Sequence, residues 1–144
     1  MIGYAAEEEN KQKIMVSLGD SYSSGEGIEP FYGQNEKISK KVNNPDWLAH
    51  RSEKAWSGML SLSTVNGVMS ENRNKNWFFV AASGATTQNI RYNFLKEYDK
   101  SGYKGSYSLA PQLAIFDELG GKQGRLCYVN PWLNLTHNYT IYCL

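Results

Sequence analysis

The stretch that most constrains this chain is Ile14 to Leu18, an apolar run bounded by Lys13 before it and by Gly19, Asp20 and Ser21 after it. A short, continuous apolar run that ends in turn-forming residues predicts a buried strand. Such a strand breaks into a loop at its carboxyl end, where open α/β sheets hold their ligands. Ser21 sits at the break, between Gly19 and the Gly25/Gly27 pair. Glycine adopts backbone angles that other residues resist, so the chain can turn abruptly and lift one hydroxyl out of the sheet.

The same layout recurs later. Trp77 to Ala82 is apolar throughout, as parallel strands buried on both faces are, and it ends at Ser83-Gly84. Thr86 or Thr87 then caps a helix expected to reach about Asp99 through Ile90, Phe94, Leu95 and Tyr98. Two such strands lying parallel bring both turns to one edge. Between them, Glu29 to Trp47 is polar and turn-rich and reads as a long surface excursion bordering a cleft. Ser52 to Ser63 reads as a helix, with Ser52 as N-cap and Ala55, Trp56, Met59, Leu60 and Leu62 as its apolar stripe. Lys100 to Ser108 reads as loop, and Pro111 opens a further helix that runs to Leu119 and stops at Gly120-Gly121. From Lys122 onward no period is evident.

These blocks resemble a family. Gly19-Asp20-Ser21-Tyr22-Ser23-Ser24-Gly25-Glu26-Gly27 after an apolar strand is similar to the first block of the GDSL (SGNH) esterases and lipases. His50-Arg51-Ser52 with Lys54 and Ala55 is similar to their Arg-Ser segment. Ala82 to Ile90 is similar to their second block, and Pro111-Gln112-Leu113 to the helix start before their third. The resemblance spans Ile14 to Gly121 and implies a three-layer α/β/α, flavodoxin-like parallel sheet, incomplete at the C-terminus. It implies hydrolysis of carboxylic esters through an acylated Ser21. The amides of Ser21 and Gly84 would form the oxyanion hole, with no metal and no cofactor. Small-molecule, lipid and acylated-carbohydrate esters are the substrates it suggests, and acyl transfer is the neighbouring chemistry. Many relatives are secreted, although Met1 to Gln12 carries Glu7-Glu8-Glu9 and no signal-peptide core.

The chain also departs from the family. The Gly-x-Asn-Asp block expected after the Pro111 helix is replaced by Gly120-Gly121-Lys122-Gln123-Gly124-Arg125. The late Asp-x-x-His block that supplies the base is missing; Asn134-Leu135-Thr136-His137 keeps its spacing with Asn for Asp. His137 is therefore expected to have no catalytic duty. His50 is read as structural or solvated, and Asp20 as a loop-holding residue rather than a base. The organisation expected is a charged leader over 1–12, a partial domain over 13–121 and an atypical tail over 122–144, with the chain truncated or altered near Gly121. A sheet of two or three strands would leave apolar faces bare and favour pairing with a second chain. An inactive fragment or binding module is accordingly the rival to the enzyme.

Composition narrows the partners. A net charge of +1 with acids and bases interspersed gives no electrostatic footprint for nucleic acid, and no apolar run is long enough to span a bilayer. Cys127 and Cys143 are the only cysteines, too few for a disulfide framework and spaced unlike a zinc site. Asn134 and Asn138 head formal glycosylation sequons. The oligomeric state is not legible.

Overall fold

The structure, a computed structural model, describes residues 13–34, 44–98, 106–120, 125–129 and 141–143. Its centre is strand β1 (Lys13–Ser17), paired in parallel with β2 (Trp77–Phe79) in the register Met15 to Trp77 and Ser17 to Phe79. Both strands lie in the apolar runs that the sequence marks out and both are buried, but β2 stops at Phe79, short of the Ala82 expected. The hairpin of β3 (Leu95–Tyr98) and β4 (Ser106–Leu109) is antiparallel and forms a second, separate sheet. Beyond it, β5 (Arg125–Val129) runs parallel on the other side of β1, and β6 (Ile141–Cys143) pairs antiparallel with β5, setting Cys127 across from Cys143. The main sheet thus has the order β2-β1-β5-β6.

The alternation of side chains along a strand sorts the core. Ile14, Val16 and Leu18 join Phe78, Leu119 and the half-buried Val80, Ile115 and Phe116 in one cluster. Met15 joins Trp77, Phe79, Ala55, Met69 and Ala81 in another. Each face of the β1/β2 pair therefore carries its own packed layer, which is what an α/β arrangement requires. Trp77 is fully buried, stacks on Phe79 at a centroid distance of 4.5 Å, and donates its Nε1–H to Ser17 Oγ at 2.7 Å. Trp77→Ala removes the largest fully buried side chain and strands a buried hydroxyl, so it is expected to cost about 3–5 kcal/mol. A urea midpoint equal to wild type would contradict this packing.

Four expectations are corrected. The helix expected over Ser52 to Ser63 shrinks to a single 3-10 turn, Trp56–Met59. Ser52 does not cap a helix there; it is buried, and its Oγ accepts the Lys54 amide at 3.0 Å in a local turn. Gly58 lies against Trp77, where a Cβ would come within 2.9 Å of the indole, so tertiary packing overrides the stripe. The helix expected to reach Asp99 ends at Arg91, because Asn89 turns its Nδ2 to the carbonyls of Asn93 and Phe94 and the chain leaves as β3. Residues 106–108, read as loop, belong to β4. The sheet is larger than two or three strands, because 125–129 and 141–143, where no period was read, supply two of its four.

Other features follow the sequence. Four short α-helices are described: α1 (Ser21–Ser24), α2 (Pro45–Leu48), α3 (Thr87–Arg91) and α4 (Ile115–Leu119). Thr86 caps α3, its amide donating to Asn89 Oδ1 at 2.9 Å. The Pro111 helix runs as a 3-10 turn, Gln112–Ala114, into α4 and stops at Gly120. Of the expected excursion from Glu29 to Trp47, residues 35–43 lie outside the described residues. Of the remainder, Phe31 is buried and bridges to Ser52. Among the described residues no helix is long and apolar enough to cross a membrane.

Candidate active site

β1 ends at Ser17, and the chain turns at Gly19, whose φ of 134° is denied to most side chains. Asp20 caps α1 by accepting the Tyr22 amide at 3.1 Å, the loop-holding role that its position suggested. Ser21 is the first residue of α1 and is half-buried. Its carbonyl is held by the Glu26 amide and by Ser24 Oγ, both at 3.0 Å. Its own amide and Oγ make no hydrogen bond to a described residue. The backbone around Ser21 is fixed, while no described residue engages its hydroxyl.

The second turn is built in the same way. The amides of Val80 and Ala81 donate to Ser17 O and that of Ala82 to Gly19 O, at 3.0–3.1 Å. This ties the end of β2 to the end of β1. Next in the chain, Ser83 donates to Ala49 O at 3.0 Å and Ala85 to Ala82 O at 3.1 Å. Gly84 lies between them at φ 82°, exposed, with an amide that meets no described residue. Two parallel neighbours therefore bring both turns to one carboxyl edge, each with one amide that meets no described residue. The sequence anticipated the parallel pairing of the two strands.

The Arg-Ser segment braces this edge. Arg51, 8 % exposed, donates Nε to Ala81 O at 2.8 Å and Nη2 to Val80 O at 3.1 Å, and its Nη1 meets Asp46 Oδ1 at 2.9 Å. Arg73 reaches the same Asp46 oxygen at 2.6 Å and lies over the Tyr32 ring at 3.9 Å. Burial pushes the Asp46 carboxyl up, but hydrogen bonds and charge from Arg73 and Arg51 outweigh it and hold the group below 3.8. The folded value lies below the unfolded one, so the linked stability is present above about 3.8 and is lost as pH falls through the folded value. Urea midpoints taken downward from about pH 5 are expected to fall more steeply for wild type than for Asp46→Asn. Parallel curves would show that Asp46 does not carry the effect.

His50 holds a left-handed backbone, φ 49°, and stacks on Phe31 at 4.8 Å. Its Nδ1 meets Glu26 Oε2 at 2.7 Å, linking the Ser21 turn to the Arg-Ser segment. Glu26 was not singled out in the sequence, and its place in the glycine-rich block was the only signal. His50 makes no hydrogen bond to Ser21, in keeping with a structural role. His137, Asn134, Asn138 and Gly121 lie outside the described residues. Among the described residues no group of three or more His, Cys, Asp or Glu is placed to hold a metal ion. Comparison with protein-family models, with curated proteins and with solved structures finds no match to this chain.

Proposed function

We propose that this chain carries the nucleophile and oxyanion side of a GDSL (SGNH)-type serine ester hydrolase on a three-layer α/β/α sheet. The observation that supports this most is the pairing of the two turns. Ser21 follows β1, Gly84 follows the neighbouring parallel strand β2, and the Gly19 carbonyl ties them together. In the reaction, Ser21 Oγ attacks the ester carbonyl carbon and its proton passes to a base. The carbonyl oxygen takes the negative charge facing the amides of Ser21 and Gly84. The C–O bond to the alcohol then breaks, the alcohol leaves with a proton, and water releases the acid from the acyl-serine. An alcohol in place of that water gives acyl transfer. Small-molecule, lipid or acylated-carbohydrate esters suit this chemistry, and it needs no metal or cofactor.

A second reading has its own support: no described residue hydrogen-bonds to Ser21 Oγ, so this chain would bind an ester-like ligand without turning it over. Turnover of p-nitrophenyl butyrate by the purified chain separates the two. Wild type faster than Ser21→Ala supports the hydrolase, and equal rates sink it in favour of the binding module.

A further inference from the structure

Gln112 is buried, 5 % exposed, and its side-chain amide grips both polar atoms of one distant residue. Oε1 accepts the Gly19 N–H at 2.7 Å and Nε2 donates to the Gly19 carbonyl at 2.7 Å, across 93 positions of sequence. The β1/β5 ladder is described only as far as Ser17 paired with Val129. Two residues on, the Gln112 amide offers Gly19 the acceptor and donor that a neighbouring strand would have offered. The same Gly19 carbonyl also accepts the Ala82 amide at 3.1 Å. One peptide oxygen thus joins three segments: the Ser21 turn, the approach to Gly84, and the start of the Pro111 helix.

We propose that Gln112 is a positioning residue for the nucleophile. By fixing the Gly19 peptide it sets the direction in which Ser21 leaves the strand, and through the shared Gly19 carbonyl it holds the Ser21 turn to the approach to Gly84. Gly19 needs such a clamp. At φ 134° it lies where glycine alone is comfortable, and a glycine is also free to leave. A buried glutamine with both amide groups used is also well satisfied, so its removal strands a buried N–H. This proposal rests on Ser21 being the nucleophile, and the test below keeps the two apart.

The experiment compares wild type, Gln112→Leu and Gln112→Glu by the rate at which a fluorophosphonate acylates Ser21, and by hydrogen exchange of the Gly19 amide. All three proteins are checked by near-ultraviolet circular dichroism to be folded. Misplacing a reacting group by about 1 Å costs on the order of 100-fold, so Gln112→Leu is expected to label at least about tenfold slower and to exchange Gly19 faster. Gln112→Glu adds a signature that a purely structural role would not give. Ionised, its carboxylate cannot donate to the Gly19 carbonyl; protonated, it can. Its labelling rate relative to wild type is therefore expected to recover as pH falls toward about 5 in protein that stays folded. A Gln112→Leu chain that labels at the wild-type rate overturns the proposal. If wild type itself is unlabelled, the hydrolase reading fails, and unchanged Gly19 exchange in Gln112→Leu then overturns the clamp as well.

Discussion

A chain carrying Ser21→Ala is expected to lose its ester turnover while keeping its melting temperature. The hydroxyl removed makes no hydrogen bond to a described residue and sits on a half-buried residue, so none of the described contacts depends on it. Its backbone contacts survive the change, because Ser21 is held through its carbonyl by Glu26 and Ser24. In the proposed hydrolase the hydroxyl Oγ, not the carbonyl, is the atom that would form the acyl bond. In an assembled serine site, loss of the nucleophile costs about a million-fold in kcat. A general base contributes about 100- to 10,000-fold of such a rate. A site working without a base bonded to its serine would therefore still show a difference of about 100-fold or more. Thermal scans and p-nitrophenyl butyrate turnover on the two proteins check the split. A variant that loses stability along with activity would mean that Ser21 is a turn residue.

Arg51→Leu is expected to lose about 3–5 kcal/mol of stability, the usual consequence of removing one partner from a buried ion pair. Leucine fills some of the volume, but the carbonyls of Val80 and Ala81 lose their guanidinium donors, and among the described residues the Asp46 carboxylate keeps only its ion pair with Arg73. Stranding a buried polar group costs about 1–3 kcal/mol each, which is consistent with the larger figure. Arg51→Lys keeps the charge without the planar fork that spans two carbonyls and a carboxylate, so it is expected to recover only part of the loss. Urea unfolding of the three proteins measures the series. Wild-type stability in Arg51→Leu would show that the second turn is held by its other bonds, such as that from Ser83 to Ala49 O.

β1 and β2 were legible because a continuous apolar run ending in turn residues has few alternatives. Gly19, Asp20 and Ser21 were legible for the same reason: the turn chemistry is local. Where the sequence misled, the deciding contact was distant. The stripe from Ala55 to Leu62 looks helical, yet Gly58 must fit against Trp77, nineteen positions on. The continuation through Phe94 to Tyr98 has helical spacing, but pairing Leu95 with Leu109 outweighs it. Strand β5 carries a short apolar run with no companion pattern, and only its neighbour β1 gives it meaning. The Gln112–Gly19 clamp and the Glu26–His50 pair join residues 93 and 24 positions apart, and no local rule reveals such pairs.

The central claim is that Ser21 is a nucleophile on a sheet edge where its own amide and that of Gly84 meet no described residue. Intact mass after incubation with a fluorophosphonate probe tests it most directly, with Ser21→Ala alongside and the labelled peptide mapped. One adduct on wild type, located on Ser21 and absent from the variant, is the result this account predicts. A folded wild-type chain that stays unmodified, or one labelled equally with and without Ser21, would contradict it.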